Sequence, residues 1–281
     1  MHINIRSYIR EKSAQINKVY QDEAESKAVC EQLLMYHLNR SRAELYLKSE
    51  IEIDINQHNE IEADFKKLNQ HVPLQYITGE APFRTLLLKI YEGVLIPRPE
   101  TEELIDLLIK MEDLNKNTHI LDACTGSGCI AISLKSEFPD IEVSAFDVDK
   151  NVLALAKSNS DDNNTTIQFF LHDLLKMEKT GKNELFNVII SNPPYVLESE
   201  KERMAERVLQ YEPGIALFVE DNDPLIFYKN IINQFGSKNC RYYFEINPLT
   251  IQKWEDFGQE SRFNLQFFKD INGKTRFVRI Q

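Results

Sequence analysis

The chain has 281 residues, 42% of them apolar and 27% charged, with a formal net charge of −11 and a pI near 5.2. That length suits one large domain or a small domain joined to a standard one, the composition excludes a disordered chain, and the acidic balance argues against general binding to nucleic acid or anionic membrane. No apolar run approaches a bilayer span, Cys30, Cys124, Cys129 and Cys240 form no CxxC pair, and the six dispersed histidines make no metal motif, so the expectation is a cytoplasmic protein without a metal.

Residues 1–75 read as helix only. In "QDEAESKAVCEQLLMYHL" the residues Ala28, Leu33, Met35 and Leu38 fall near helical spacing, and "SRAELYLKSE" and "EIEADFKKLNQ" continue the pattern. The segment has 12 acidic and 10 basic residues, a poor match for phosphate binding, and predicts a small helical bundle. In 76–98, "YITGEAPFRTLLLKIYEGVLIPRP" has turn residues at Gly79 and Gly93 between β-rich runs and predicts a β-hairpin linker. Pro99 then suits the first turn of a helix, with Glu100, Glu102 and Glu103 at its positive end, running through "ELIDLLIKM".

From 99 to 281 strands and helices alternate. The predicted strands are "HILDA" (119–123), "IEVSAFD" (141–147), "TIQFFL" (166–171), "FNVIIS" (186–191), "RYYFEI" (241–246), "LQFFKD" (265–270) and "TRFVRI" (275–280). Helices "GCIAISLKSEF" and "KNVLALAKSN" fill early gaps, and "KSNSDDNNTT" (157–166) reads as a polar loop. This alternation predicts an α/β, doubly wound, Rossmann-like sheet of seven strands. Only "INGK" joins the last two strands, too short for a parallel crossover, so they are expected as an antiparallel hairpin.

Four motifs sit at predicted strand ends. In "HILDACTGSGCIAISL", Asp122 ends a strand and Thr125-Gly126-Ser127-Gly128 turns into a helix, where glycine lets a ligand approach the backbone. Cys124 stands where an acid-x-G-x-G-x-G loop has its first glycine, and the expectation is that it costs little there. Asp147 lies 19 residues after Gly128 and suits the hydroxyls of a nucleoside's ribose; Asp149 is the better helix N-cap. Asp173 follows the third strand and suits either an adenine amino group, with Leu174 against the ring, or a plain cap. In Asn192-Pro193-Pro194-Tyr195, the Asn192 side-chain oxygen and the Pro193 carbonyl suit the two hydrogens of a planar NH₂ group, the prolines stiffen the loop, and Tyr195 offers a flat face.

On these motifs the chain resembles amino-group methyltransferases that use S-adenosylmethionine, and more narrowly the release-factor glutamine N5-methyltransferases, the HemK/PrmC family. The resemblance runs through "PLQYITGEAPF", "IPRPETEEL", "LDACTGSGCIAI", "SNPPYV", "YEPGIALF" and "FEI". It implies a class I methyltransferase domain over 99–281 behind a helical substrate-docking domain over 1–75. Asn192, Pro193 and Tyr195 would be catalytic, and with Pro194 they would hold the glutamine amide. Asp122, Cys124, Thr125, Gly126, Ser127, Gly128, Asp147, Asp173, Leu174 and Asn192 would bind the cofactor, which leaves as S-adenosylhomocysteine. Leu174 departs from the larger aromatic that some members carry. The implied partner is a class I peptide chain release factor, with no direct nucleic acid and no membrane.

Amide nitrogen is a poor nucleophile, so the expected catalysis is positioning and preorganised acceptors without a dedicated base. Other readings are a glutamine methyltransferase of a ribosomal protein, a nucleic-acid adenine methyltransferase with a similar socket, and a non-catalytic cofactor-binding scaffold. The sequence gives Glu212 and Pro213 no chemistry beyond ordering a loop.

Overall fold

Short polar side chains start the helices of the N-terminal unit. Asn4 accepts from the Ser7 N–H, Asp22 from Glu25, and Asp54 from Asn56 and Gln57, opening helices Ile5–Tyr20, Glu23–Leu38 and Ile55–Asn69. The computed structural model describes residues 2–47, 50–176 and 186–281. Within it the chain divides into residues 1–80 with 205–211 and residues 81–204 with 212–281.

The first unit is built on Ile5, Ile9, Ile16, Leu33, Leu34, Ile61, Phe65 and Leu68. Helix Glu23–Leu38 buries Ser26, Cys30, Leu33 and Leu34, one helical stripe, while Ala28 is exposed and Met35 and Leu38 are only half-buried. The helix-only reading needs amending, because His2–Asn4 and Glu50–Glu52 pair as a short antiparallel ribbon that buries Ile3 and Ile51. Three alternating residues each are too few to stand out from a helical background. The helix in "SRAELYLKSE" covers Arg42–Leu47, and Lys48 and Ser49 lie outside the described residues.

In the second unit the seven predicted strands all form. They are β1 (His119–Ala123), β2 (Glu142–Asp147), β3 (Gln168–Leu171), β4 (Val188–Ser191), β5 (Arg241–Glu245), β6 (Leu265–Lys269) and β7 (Thr275–Ile280), in the order β6-β7-β5-β4-β1-β2-β3. The pairs β5–β4, β4–β1, β1–β2 and β2–β3 are parallel, while β7 runs antiparallel to β5 and β6. Alternate residues feed two cores. Ile120, Val143, Val188, Ile190 and Tyr243 face one side, and Leu121, Phe146, Ile189, Tyr242 and Phe244 the other. Burial on both faces explains why these strands are nearly unbroken apolar runs.

Helices α1 (Pro99–Met111), α2 (Cys129–Glu137), α3 (Lys150–Asp162), α4 (Ile226–Phe235) and α5 (Ile251–Ser261) flank the sheet. α1 begins as predicted, with Pro99 in its first turn and Glu100 and Glu102 at the positive end, and buries Thr101, Leu104, Ile105 and Leu108 on one stripe. Each of those aliphatic side chains contributes about 1.5–3 kcal/mol over an exposed position. α3 runs one turn past its predicted end, so most of "KSNSDDNNTT" is helical; burial of Asn159 and Ser160 holds that turn in place, while Asp149 caps the other end as predicted. In the predicted linker, Gly79 closes helix Leu74–Thr78 and the strands Glu80–Phe83 and Leu86–Lys89 form a two-stranded sheet. Their connection is made by Arg84 at φ 52, not by a glycine, because its guanidinium is anchored on Asp106 and Glu137. Among the described residues no helix is long and apolar enough to cross a membrane.

Candidate active site

Strand register brings the site together. On β1, Ala123 lies opposite Phe146 of β2 and Ser191 of β4, and the Ser191 hydroxyl donates to the Ala123 carbonyl at 2.5 Å. The next residue on each strand is therefore Cys124, Asp147 or Asn192, and all three line one cleft of about 160 Å³. The cleft lies at the carboxyl ends of the parallel strands, where the order turns from β1 outward in both directions, the usual ligand crevice of open α/β sheets. Its walls are largely apolar, with Val152, Leu174, Ile215 and Phe227, and Asp173 also borders it.

The loop after β1 is tied from below and from the side. Asp122 is fully buried and accepts from the Thr125 hydroxyl at 2.5 Å and the Ala131 N–H at 3.2 Å. Asp147 accepts from the Gly126 N–H at 2.9 Å and the Asp149 N–H at 3.2 Å. Gly128 has φ +85 and a Cβ there would stand 2.9 Å from Ile132 Cδ1, whereas Gly126, at φ +57, faces open space. Asp122, Thr125, Ser127 and Gly128 thus shape the loop without lining the cleft, and Cys124, Gly126 and Asp147 face it.

Cys124 has φ +60, in the left-handed region, so the expectation that it costs little there is overturned. The loop needs the turn that a glycine would make without strain, and cysteine, with one Cγ-like atom on Cβ, tolerates it better than a branched side chain. Cys124→Gly is expected to change stability by less than about 1 kcal/mol, because relieved strain offsets lost packing, while Cys124→Val costs about 2 kcal/mol or more. Urea unfolding of the two variants measures both.

Burial pushes the Asp122 carboxyl from its ordinary 3.8 up to about 7, against the two hydrogen bonds that favour its charged form. A raised carboxyl retains its proton in the fold where the unfolded chain has lost it. Its contribution to stability is therefore full below about pH 4 and is lost as the pH rises to about 7. Asp122→Asn is expected to gain in melting temperature over the unaltered protein progressively across that window and to hold a constant gain above it. A pH series of thermal melts reads this directly.

Beyond β4, Asn192 Nδ2 donates to the Thr101 hydroxyl at 2.9 Å, and that hydroxyl donates to Glu245 Oε2 at 2.8 Å. The Tyr195 hydroxyl donates to Glu245 Oε1 at 2.8 Å. Register accounts for the group, since Phe244 of β5 lies opposite Ser191 and Glu245 comes up beside Asn192. Burial raises the Glu245 carboxyl, and the bonds from Tyr195 and Thr101 and the charge of Arg276 oppose that rise. Burial also raises the Tyr195 phenol, with the Glu245 charge acting in the same direction. Asn192 and Pro194 line the cleft; Pro193 and Tyr195 do not, and the Tyr195 ring packs on the α4–α5 side of the core. Asp173 does act as a local cap, accepting from the Leu175 N–H at 3.0 Å, and also borders the cleft beside the buried Leu174.

The motif readings passed over Thr101, Glu245 and Arg98 as individual residues and gave Glu212 only the ordering of a loop. The buried Glu212 carboxylate lies 2.6 and 2.7 Å from Arg98 Nη2 and binds "YEPG" to "IPRP", with the neighbouring Pro213 on the cleft wall. Contacts that join positions more than a hundred residues apart leave no spacing to read; only the shared motif stretches hint at them. Among the described residues, no cluster of three or more His, Cys, Asp or Glu side chains is placed to hold a metal ion.

Two family models match the chain. Residues 102–213 match the Methyltransferase small domain and residues 8–79 the PrmC N-terminal domain. The chain is 41% identical over 247 residues to the release factor glutamine methyltransferase of Flavobacterium psychrophilum, covering 85% of this chain and 86% of that one. With the release factor glutamine methyltransferase of Bacteroides thetaiotaomicron it shares 35% identity over 279 residues, 98% of each chain. Among solved structures, the hMettl16 catalytic domain superposes with a TM-score of 0.52 at 17% identity, covering 69% of this chain and 74% of that one, a likeness of fold.

Proposed function

We propose, since the chain belongs to the release factor glutamine methyltransferase family, that it methylates the side-chain amide nitrogen, N5, of the glutamine in the Gly-Gly-Gln loop of a class I peptide chain release factor. The observation that carries this reading is that Asn192, whose side-chain amide can pair with another amide, opens on the same cleft as Gly126 and Asp147.

The residues fit S-adenosylmethionine. Gly126 faces open space where the backbone meets the cleft, the Asp147 carboxylate at its rim suits ribose hydroxyls, and the walls of Val152, Leu174 and Phe227 suit a purine ring. Bound there, S-adenosylmethionine supplies a methyl group activated by its sulfonium. Asp147 and the Asp122-braced loop hold the nucleoside. Asp173 lies at the adenine end. Asn192 Oδ1 accepts an amide hydrogen of the glutamine and stabilises the positive charge that grows on its nitrogen, while Pro193, off the cleft wall, stiffens the loop. Pro194 restrains the loop, and Tyr195 braces it from behind through Glu245. The chain's contribution is orientation in a largely apolar cleft, where preorganised acceptors need no rearrangement at the reacting moment. The N-terminal unit docks the release factor.

Transfer of labelled methyl from S-adenosylmethionine is measured on a purified class I release factor, with duplex DNA and a mixture of ribosomal proteins in parallel. The expected outcome is label on the release factor alone. Label on DNA alone, or on a ribosomal protein alone, overturns the reading in favour of that substrate.

A further inference from the structure

The pattern of donors around Thr101 has a consequence for which face of the Asn192 amide meets the cleft. Glu245, buried beneath the cleft, receives the hydroxyls of both Tyr195 and Thr101. Each carboxylate oxygen accepts one of these hydroxyls, the pattern of an ionised group, which the two bonds and the charge of Arg276 favour against the effect of burial, so each hydroxyl spends its single proton on Glu245. The Thr101 oxygen then has only lone pairs left for Asn192, 2.9 Å away. Of the two ends of the Asn192 amide, only the NH₂ can meet a lone pair. The oxygen is thereby turned toward the cleft that Asn192 lines. Oxygen and nitrogen of an amide differ little in shape, so hydrogen bonding rather than packing must select the orientation.

We propose that Thr101, held by Glu245, is a positioning residue that fixes the side-chain amide of Asn192 with its oxygen toward the substrate. The inference rests on the reading of Asn192 as the acceptor for the glutamine amide. It also gives a role to a polar residue at a costly position. Thr101 lies in the first turn of α1 on its buried stripe, beside Leu104 and Ile105, and is 2% exposed. A valine would fill the same space without asking for partners. The "PET" of "IPRPETEEL" and the "FEI" of β5 thus meet in one hydrogen-bonded chain that ends at the "NPPY" loop.

A flipped Asn192 would present NH₂ to the NH₂ of a glutamine, replacing an attraction by a repulsion. Thr101→Val removes the selection while retaining the volume. It is expected to lower kcat at least tenfold, with the KM for the release factor and the Kd for S-adenosylmethionine within threefold. Thr101→Ser, which restores the hydroxyl, is expected to return kcat to within threefold of the unaltered enzyme. In the protein without substrate, the Asn192 side-chain NH₂ resonances, recorded by NMR with selective ¹⁵N labelling, are expected to shift in Thr101→Val and not in Thr101→Ser. A kcat for Thr101→Val within twofold of the unaltered enzyme, or unmoved Asn192 NH₂ resonances, overturns the inference. If instead the unaltered protein transfers no methyl to the release factor but the resonances move as expected, the orientation stands and the assigned substrate falls.

Discussion

Asn192→Ala is expected to lower the turnover of methyl transfer about a thousandfold, while S-adenosylmethionine binds with a Kd within threefold of the unaltered enzyme. The magnitude follows from what the side chain does. An amide nitrogen donates its lone pair into its own carbonyl, and attack on the methyl requires that the lone pair be redirected and the growing positive charge be met by an acceptor. Asn192 is the acceptor that the NPPY loop brings to the cleft by a side chain. Removing it takes away a stabilisation that strengthens in the transition state, so kcat falls rather than affinity. The fold loses little, because the partner left behind, Thr101, keeps its bond to Glu245. Equilibrium binding of the cofactor beside steady-state kinetics on the release factor separates the two quantities. Equal losses in both would mean that Asn192 supports the loop rather than the reaction.

Asp147→Ala is expected to produce the opposite signature. Its carboxylate is the charged acceptor at the end of β2, and a hydrogen bond to a charged group contributes about 1.5–3 kcal/mol, so losing it weakens cofactor binding by about ten- to a hundredfold. The carboxylate also holds the Gly126 N–H at 2.9 Å, which means that the substitution loosens the glycine loop as well as removing ribose contacts. At saturating cofactor, kcat is expected to stay within about threefold of the unaltered enzyme. Isothermal titration of S-adenosylmethionine gives the affinity. An unchanged Kd would transfer the ribose role elsewhere on the cleft.

The two signatures belong to two strand ends, and the sequence made those ends visible for a physical reason. A strand buried on both faces must be apolar throughout, so Asp122, Asp147 and Asn192 stand out sharply where the runs "HILDA", "VSAFD" and "VIIS" stop. All seven strands of the sheet and the antiparallel closing hairpin could be placed for the same reason. The ribbon His2–Asn4 with Glu50–Glu52 could not, since three residues hold less than one helical turn and barely more than one strand alternation. The end of α3 was misplaced because Asn and Asp favour loops intrinsically, and tertiary burial of Asn159 and Ser160 outweighs that preference.

Within the site, legibility followed the same division. Residues that act through local chain geometry, the glycine turn and the NPPY loop, were readable from a few adjacent letters. Cys124 was readable as a departure but not as a strained one, because φ is a property of the finished turn. Thr101 and Glu245 reach Asn192 from positions 91 residues upstream and, through Thr101, 144 residues further along the chain from α1. No local pattern encodes that meeting; only the order of strands in the sheet does. Tyr195 illustrates the converse, since an aromatic beside two prolines suggests a stacking face, whereas its hydroxyl is committed to Glu245.

The most direct test of the account is to locate the transferred methyl group. After reaction with S-adenosylmethionine, the release factor is digested and the peptide containing the Gly-Gly-Gln loop is fragmented in a mass spectrometer. The account predicts one added methyl on the side-chain amide nitrogen of that glutamine, absent when the reaction is run with Asn192→Ala. A methyl on any other residue, or on a carboxylate or main-chain nitrogen, would contradict it.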